Sequence, residues 1–181
     1  MTMIDPAIVP QRTLYTGAKM PVVGMGTFGS DHADADAVSA SVAGALRVGY
    51  RSFDCAACYG NEDMIGKIFA DAFAEGIVKR EELFIASKVW NDMHGDGDVL
   101  IACAKTLKDL KLDYLDMYYV HWPFQNYHAP HCDVDSRNPD SKPFTVERFM
   151  KTWRQMERLV DMGLTKHIGM SNMTCLLYTS P

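Results

Sequence analysis

The chain of 181 residues has no apolar run that approaches the roughly 20 residues a membrane span requires. Its start, Met1 to Gln11, carries Asp5 and two prolines and lacks the basic-then-apolar order of a signal peptide. Strong charge of one sign is missing too. A net charge of −5 with no clustering suggests neither a nucleic-acid nor an anionic-membrane partner. Cysteine is sparse: five residues, an odd number scattered along a mid-sized chain, fit a reducing cytoplasm better than a disulfide framework. Cys55-Ala56-Ala57-Cys58 has the C-x-x-C spacing, but no second such pair accompanies it to complete a zinc site. His128, His131, Cys132 and Asp133 lack regular spacing and read as a solvated surface. These absences leave a cytoplasmic protein of a single domain, residues 1–181, with enough chain for a real core.

What is present is a set of short apolar runs, each ending on a residue that can do chemistry. They read Arg51-Ser52-Phe53-Asp54, Leu83-Phe84-Ile85-Ala86-Ser87-Lys88, Met117-Tyr118-Tyr119-Val120-His121 and His167-Ile168-Gly169-Met170-Ser171. Continuously apolar runs of this length suit strands buried on both faces, as in a parallel sheet. Reactive residues at the C-terminal ends of successive strands are how a β/α barrel assembles an active site.

Between these runs the chain has helical periodicity. The segment 36–48 places Val38, Val42, Ala45 and Leu46 on one face, with Gly49 as its stop. Asn61 is placed to cap a second helix, with Glu62 and Asp63 in its first turn and Met64, Ile65, Ile68, Phe69 and Phe73 inward. Residues 98–108 repeat the pattern through Val99, Leu100, Cys103 and Leu107. A last helix opening at Thr145 carries Val146, Phe149, Met150, Trp153, Met156 and Val160 to a stop at Gly163. A short hairpin turning near Gly17 and a strand from Val22 to Thr27 come first, and a polar loop spans 125–143. Strand ends at Thr27, Asp54, Lys88 and His121 are spaced 27, 34 and 33 residues apart, close to one βα unit of about 30 residues. The expected fold is an α/β (β/α)8 TIM barrel, incomplete here: a hairpin plus about five βα units.

A competing pattern is Gly24-Met25-Gly26-Thr27-Phe28-Gly29, with Asp54 downstream, which matches the dinucleotide-binding fingerprint G-x-G-x-x-G. That fingerprint needs a helix opening at its third glycine. Here Ser30-Asp31-His32-Ala33-Asp34 intervenes, with two acidic side chains where a phosphate would sit.

Asp54, Tyr59, Lys88 and His121 at one barrel mouth make a chemical unit. A phenol is protonated at neutral pH and can donate to a developing alkoxide. Lys88 is expected to lower its pKa, Asp54 to hold the ammonium in place, and His121 to orient a carbonyl oxygen. Any one of these residues alone has a blander reading as a turn former, solvated charge or packing residue. Together they lack only a hydride, which no side chain supplies, so a nicotinamide cofactor is implied.

The segments Met20-Pro21-Val22-Val23-Gly24-Met25-Gly26-Thr27-Phe28, Gly49-Tyr50-Arg51-Ser52-Phe53-Asp54, Tyr59-Gly60-Asn61-Glu62, Ser87-Lys88-Val89-Trp90, His121-Trp122-Pro123 and Ile168-Gly169-Met170-Ser171-Asn172 resemble the aldo-keto reductase family. The resemblance implies a (β/α)8 barrel that reduces aldehydes and ketones with NADPH, or less often NADH. It implies Tyr59 as general acid, Asp54 and Lys88 as its tuning pair, and His121 as the carbonyl-orienting group. Gly26, Thr27, Phe28, Asp54, Ser171 and Asn172 would contact the cofactor, and Trp90 and Trp122, with Tyr59 and His121, the small-molecule carbonyl substrate. The family also includes barrels used as auxiliary or binding subunits without catalysis, which is the alternative reading.

A family barrel needs eight strands in about 250 residues, and only five barrel strands are countable here. The expectation is therefore an N-terminal portion, a fragment, with residues 175–181 foreign to the parent protein and with no turnover by the 181 residues alone.

Overall fold

The structure, a computed structural model, describes residues 4–29, 32–128 and 137–174. A hairpin opens the fold: β1 (Gln11–Thr13) and β2 (Lys19–Pro21) pair antiparallel, Arg12 opposite Met20. Gly17 makes the turn possible, since its φ of +88° lies where only glycine sits without strain.

The rest alternates. In chain order come β3 (Met25–Gly26), α1 (Ala35–Val48), β4 (Ser52–Asp54), α2 (Glu62–Ala74), β5 (Phe84–Val89), α3 (Asp98–Leu110), β6 (Leu115–Val120), α4 (Val146–Asp161) and β7 (Thr165–Met170). The five strands β3 to β7 form one parallel sheet in sequential order, each hydrogen-bonded to the next. That order decides against the dinucleotide-binding reading, whose sheet reverses direction at a switch point. An uninterrupted sequence of neighbours is the wall of a barrel. β3 is shorter than the expected strand from Val22. Gly24 lies so close to Ser52 that a Cβ there would sit 2.9 Å from Ser52 Oγ.

The two sheet faces are different. Outward, Phe53, Ile85, Val89, Tyr118 and Val120 pack with Val42, Leu46, Ile65, Phe69, Cys103, Leu107 and Met156 of the helices into the main core. Inward, Phe84, Ala86 and Met117 form a second cluster, covered by Leu14 and Met20 of the hairpin and by Tyr119. The hairpin thus plugs the N-terminal end of the sheet. At the helical layer, α2 and α3 nearly touch: a Cβ on Gly66 would lie 2.1 Å from Asp109 O. Any larger residue there would force the helices apart.

Helix ends follow the expected signals with local departures. Asp34 caps α1 and Thr145 caps α4, each side chain accepting the backbone N–H of the helix's third residue. Asn61 stands at the N-terminus of α2 without capping it; its Nδ2 instead donates to Thr27 O. Leu100, Val146 and Val160 are exposed rather than inward. The buried stripe of α4 is Phe149, Thr152, Met156 and Leu159, a helical phase that a threonine in its middle conceals. Among the described residues no helix is long and apolar enough to cross a membrane. The last residues, 175–181, lie outside the described ones.

Candidate active site

Parallel pairing sets Gly26 beside Asp54 and Asp54 beside Ala86. Lys88 lies two residues beyond Ala86 on the same strand, so period-2 alternation points it to the same inner face, at the C-terminal end. Its ammonium sits among oxygens of three residues: 2.9 Å from each Asp54 carboxylate oxygen, 2.9 Å from the carbonyl of Cys55 and 3.2 Å from the Tyr59 hydroxyl. The chain brings Tyr59 there by turning sharply after β4. A one-turn helix, Ala57–Tyr59, ends on Gly60 at φ +68°. The loop itself is tied down by Cys55 N–H to Ala86 O and by Asn61 Nδ2 to Thr27 O.

His121 follows β6 directly, its N–H bonded to Val89 O. Its ring lies edge-on to Tyr59, centroids 5.9 Å apart, and to Trp90 at 5.1 Å. The four residues singled out from sequence therefore converge on one mouth.

Their electrostatics depart from expectation in one respect. Burial pushes the Tyr59 phenol up, and the Lys88 charge and hydrogen bond, which pull it down, do not overcome that. The net direction is up, where Lys88 alone was expected to lower it. Desolvation of the phenolate is the larger effect. For Lys88 the balance runs the other way: burial disfavours the ammonium, but Asp54 and then Tyr59 together outweigh it, so the amine stays charged. His121 is pushed down to about 3 by burial first, then by Lys88 and His128. At neutral pH the site thus holds a protonated phenol, an ammonium and a neutral imidazole. Because Lys88 donates to the Tyr59 oxygen, the phenolic proton remains available for another acceptor.

The residues read as cofactor contacts fall on two sides of this mouth. Ser171 follows β7, its N–H bonded to Val120 O, and Asn172 takes the left-handed conformation at φ +57°. Asn172 Nδ2 donates to His121 O and to Ser171 Oγ. That leaves the Asn172 carbonyl as an acceptor and the Ser171 hydroxyl proton as a donor, the complementary pair a carboxamide needs. Their chemistry fits a nicotinamide. Opposite, Phe28 is exposed and its ring lies 4.9 Å from that of Tyr59. Gly26 ends β3 beside Asp54. Thr27 is fully buried and spends its hydroxyl on the Asp54 carbonyl at 3.1 Å. What it gives the mouth is a fixed Asp54 backbone rather than a hydroxyl for a ligand.

Trp90 and Trp122 share one wall, joined by His128. His128, expected on a solvated surface, is 2% exposed, stacks on Trp90 at 5.8 Å and meets Trp122 edge-on at 4.4 Å. His131, Cys132 and Asp133 lie outside the described residues. Cys55 is buried, with its thiol pushed far up by desolvation, which disfavours the thiolate chemistry a redox or zinc site requires. Glu62, in the first turn of α2 as expected, is buried. It accepts from Ser87 Oγ at 2.5 Å and Thr106 Oγ1 at 3.0 Å, and burial lifts its carboxyl to about 7.

The sequence pattern of the aldo/keto reductase family matches residues 22–178. This chain belongs to the aldo/keto reductase family. An aldo/keto reductase of Synechocystis sp. is 45% identical over 88% of the chain and 47% of its own length. Aldo-keto reductase family 1 member A1 of Xenopus tropicalis is 43% identical over 91% of the chain and 49% of its own. Among solved structures, the aldose reductase from Schistosoma japonicum superposes with a TM-score of 0.80 at 39% identity, covering 93% of this chain and 55% of that one. A Bombyx mori aldo-keto reductase in complex with NADP gives 0.78 at 34% identity, covering 95% and 55%. The chain spans about half the length of the curated relatives it matches. The fold is accordingly part of a (β/α)8 barrel, with β3 and β7 at the two edges of the described sheet.

Proposed function

We propose that this segment carries the catalytic corner of an NADPH-dependent reductase of aldehydes or ketones, with NADH as the less favoured donor. The observation that carries the proposal is the Lys88 ammonium, held within 3.2 Å of the Tyr59 hydroxyl and 2.9 Å of Asp54 beside a neutral His121. Two relatives' descriptions support the cofactor: a Bombyx mori structure in complex with NADP and an NADP-dependent D-sorbitol-6-phosphate dehydrogenase of Malus domestica.

A carbonyl oxygen that enters the mouth meets the Tyr59 O–H and the His121 ring. His121 orients the oxygen by hydrogen bonding as a neutral donor. Tyr59 gives its proton to that oxygen as negative charge develops there. The Lys88 ammonium stabilises the phenolate left behind, and Asp54 keeps the amine charged and placed. Ser171 and Asn172 would hold the carboxamide of a reduced nicotinamide, with Gly26, Thr27 and Phe28 along its other side, and that group would supply the hydride. Trp90 and Trp122 exclude water and select an apolar substrate body. Such turnover needs a closed barrel, and the described sheet ends at β3 and β7, so the 181 residues alone are expected to be inactive. The location expected is the cytoplasm.

The test is Tyr59→Phe in a protein that carries this segment within a complete barrel. Carbonyl-dependent NADPH oxidation should fall by about 10²-fold or more with cofactor affinity nearly unchanged. Unchanged turnover would remove Tyr59 from its role. Absence of reduction by the unaltered protein, across a panel of aldehydes, would favour the non-catalytic auxiliary reading.

A further inference from the structure

One contact at the mouth is unused by this mechanism. Cys58 Sγ lies 3.6 Å from His121 Nδ1, and Cys58 is half-buried on the same one-turn helix that delivers Tyr59. We infer that Cys58 is a positioning residue: its S–H donates to Nδ1 of His121 and so fixes the imidazole as the tautomer with its proton on Nε2, the form able to donate to a carbonyl oxygen. The inference rests on the functional reading above and deepens it.

The argument is one of donors and acceptors. A neutral imidazole carries one N–H and one bare nitrogen, and the hydrogen bond made by one nitrogen decides what the other presents. A thiol is a weak donor and a weaker acceptor, whereas an unprotonated imidazole nitrogen is a good acceptor. The pairing that satisfies both groups is therefore S–H to Nδ1. The opposite tautomer would aim its N–H at sulfur and present a lone pair to the substrate's own lone pairs. Burial and the Lys88 charge keep the ring neutral, so it does not escape the choice by taking a second proton. The ring has little freedom to turn away, since Trp90 and Tyr59 both meet it edge-on. Spacing in the sequence relates Cys58 only to Cys55, whereas the fold sets it against His121, 63 residues away in the chain.

The experiment compares Cys58→Val, close in size without a donor, with Cys58→Ser, which keeps one. Both are made in a protein carrying this segment within a complete barrel. Two quantities are read: kcat and KM for an aromatic aldehyde with saturating NADPH, and the ¹⁵N chemical shifts of the His121 ring nitrogens. Cys58→Val should lower kcat about tenfold, by analogy with the loss of groups that orient a functional histidine, with NADPH affinity unchanged. It should also move the His121 Nδ1 signal, while Cys58→Ser restores both. If Cys58→Val fails to fold, Cys58→Ala takes its place with the same readouts. A Val or Ala variant with wild-type kcat and unshifted ring signals would overturn the inference. If the unaltered protein reduces no carbonyl, the functional reading falls, and the ring signals alone then decide whether Cys58 sets the tautomer.

Discussion

Both ends of the sheet hold a carboxylate against cations, and they do opposite things. At the N-terminal end Asp116 on β6 is saturated. It takes Arg80 and Lys166 at 2.9 Å each and the N–H of Ile85 at 3.0 Å, while Arg80 and Lys166 both lie over the Tyr114 ring. The Asp116 carboxylate is met on all sides by groups of the protein itself. At the C-terminal end the cation is the buried partner: the Lys88 side chain is 8% exposed and that of Asp54 is 50% exposed. Lys88 spends its third hydrogen bond on a phenol whose own proton is uncommitted. A filled network fastens β5, β6 and β7 together, whereas an incomplete one with an open side can act on something that enters.

The comparison is broken most directly at Lys88. Lys88→Met should lower the single-turnover rate of carbonyl reduction by about 10²–10⁴-fold, since the phenolate formed by proton transfer loses its neighbouring charge. A loss under threefold would place Lys88 with the structural cations. Asp116→Asn should do the reverse, costing about 3 kcal/mol in urea unfolding, because it strands Arg80 and Lys166. Its kcat should be unchanged.

Glu62 sharpens the contrast by pH. Its folded-state pKa of about 7 stands above the ordinary 4.5, so the folded form holds a proton that the unfolded chain releases. Stability should therefore fall as pH rises from about 4.5 through 7 and level off above, by a total on the order of 3 kcal/mol. Glu62→Gln should flatten that slope in urea midpoints measured from pH 5 to 8. A retained slope would assign it to other groups. The smallest effect belongs to Arg47–Glu75, an exposed pair at 2.9 Å. Arg47→Ala should cost less than about 0.5 kcal/mol by the same measurement, showing that equal distance does not mean equal energy.

Most of the barrel wall was legible in the residues because its signal is local. Apolar runs such as 83–88 and 117–121 report buried strands wherever they occur, and the structure ends β5 and β6 within one residue of Lys88 and His121. The four chemical residues were legible for the same reason, each sitting at the end of such a run or just beyond. What escaped depends on neighbours far away in the chain. The first-turn position of Glu62 was legible, but its burial was not, because Ser87 and Thr106, which hold it, lie on β5 and α3. His128 read as surface because the two tryptophans that enclose it come from different strand ends. The direction of the Tyr59 shift was missed because a sequence displays charges and conceals desolvation. The exposed Leu100 and Val160 illustrate a further limit: periodicity assigns a face to within a residue or so, and the neighbouring helix chooses between candidates.

The strand order carries a consequence for how the polypeptide comes together. Because every strand from β4 onward docks on the one made immediately before it, the wall can be laid down in the direction of synthesis, each new βα unit finding its template already in place. Loop closure at every step spans one unit rather than the whole molecule, which keeps its entropic cost low until the far edges must meet. By the time Ser171 and Asn172 leave the ribosome, the strands that carry Asp54, Lys88 and His121 to the mouth have already been made.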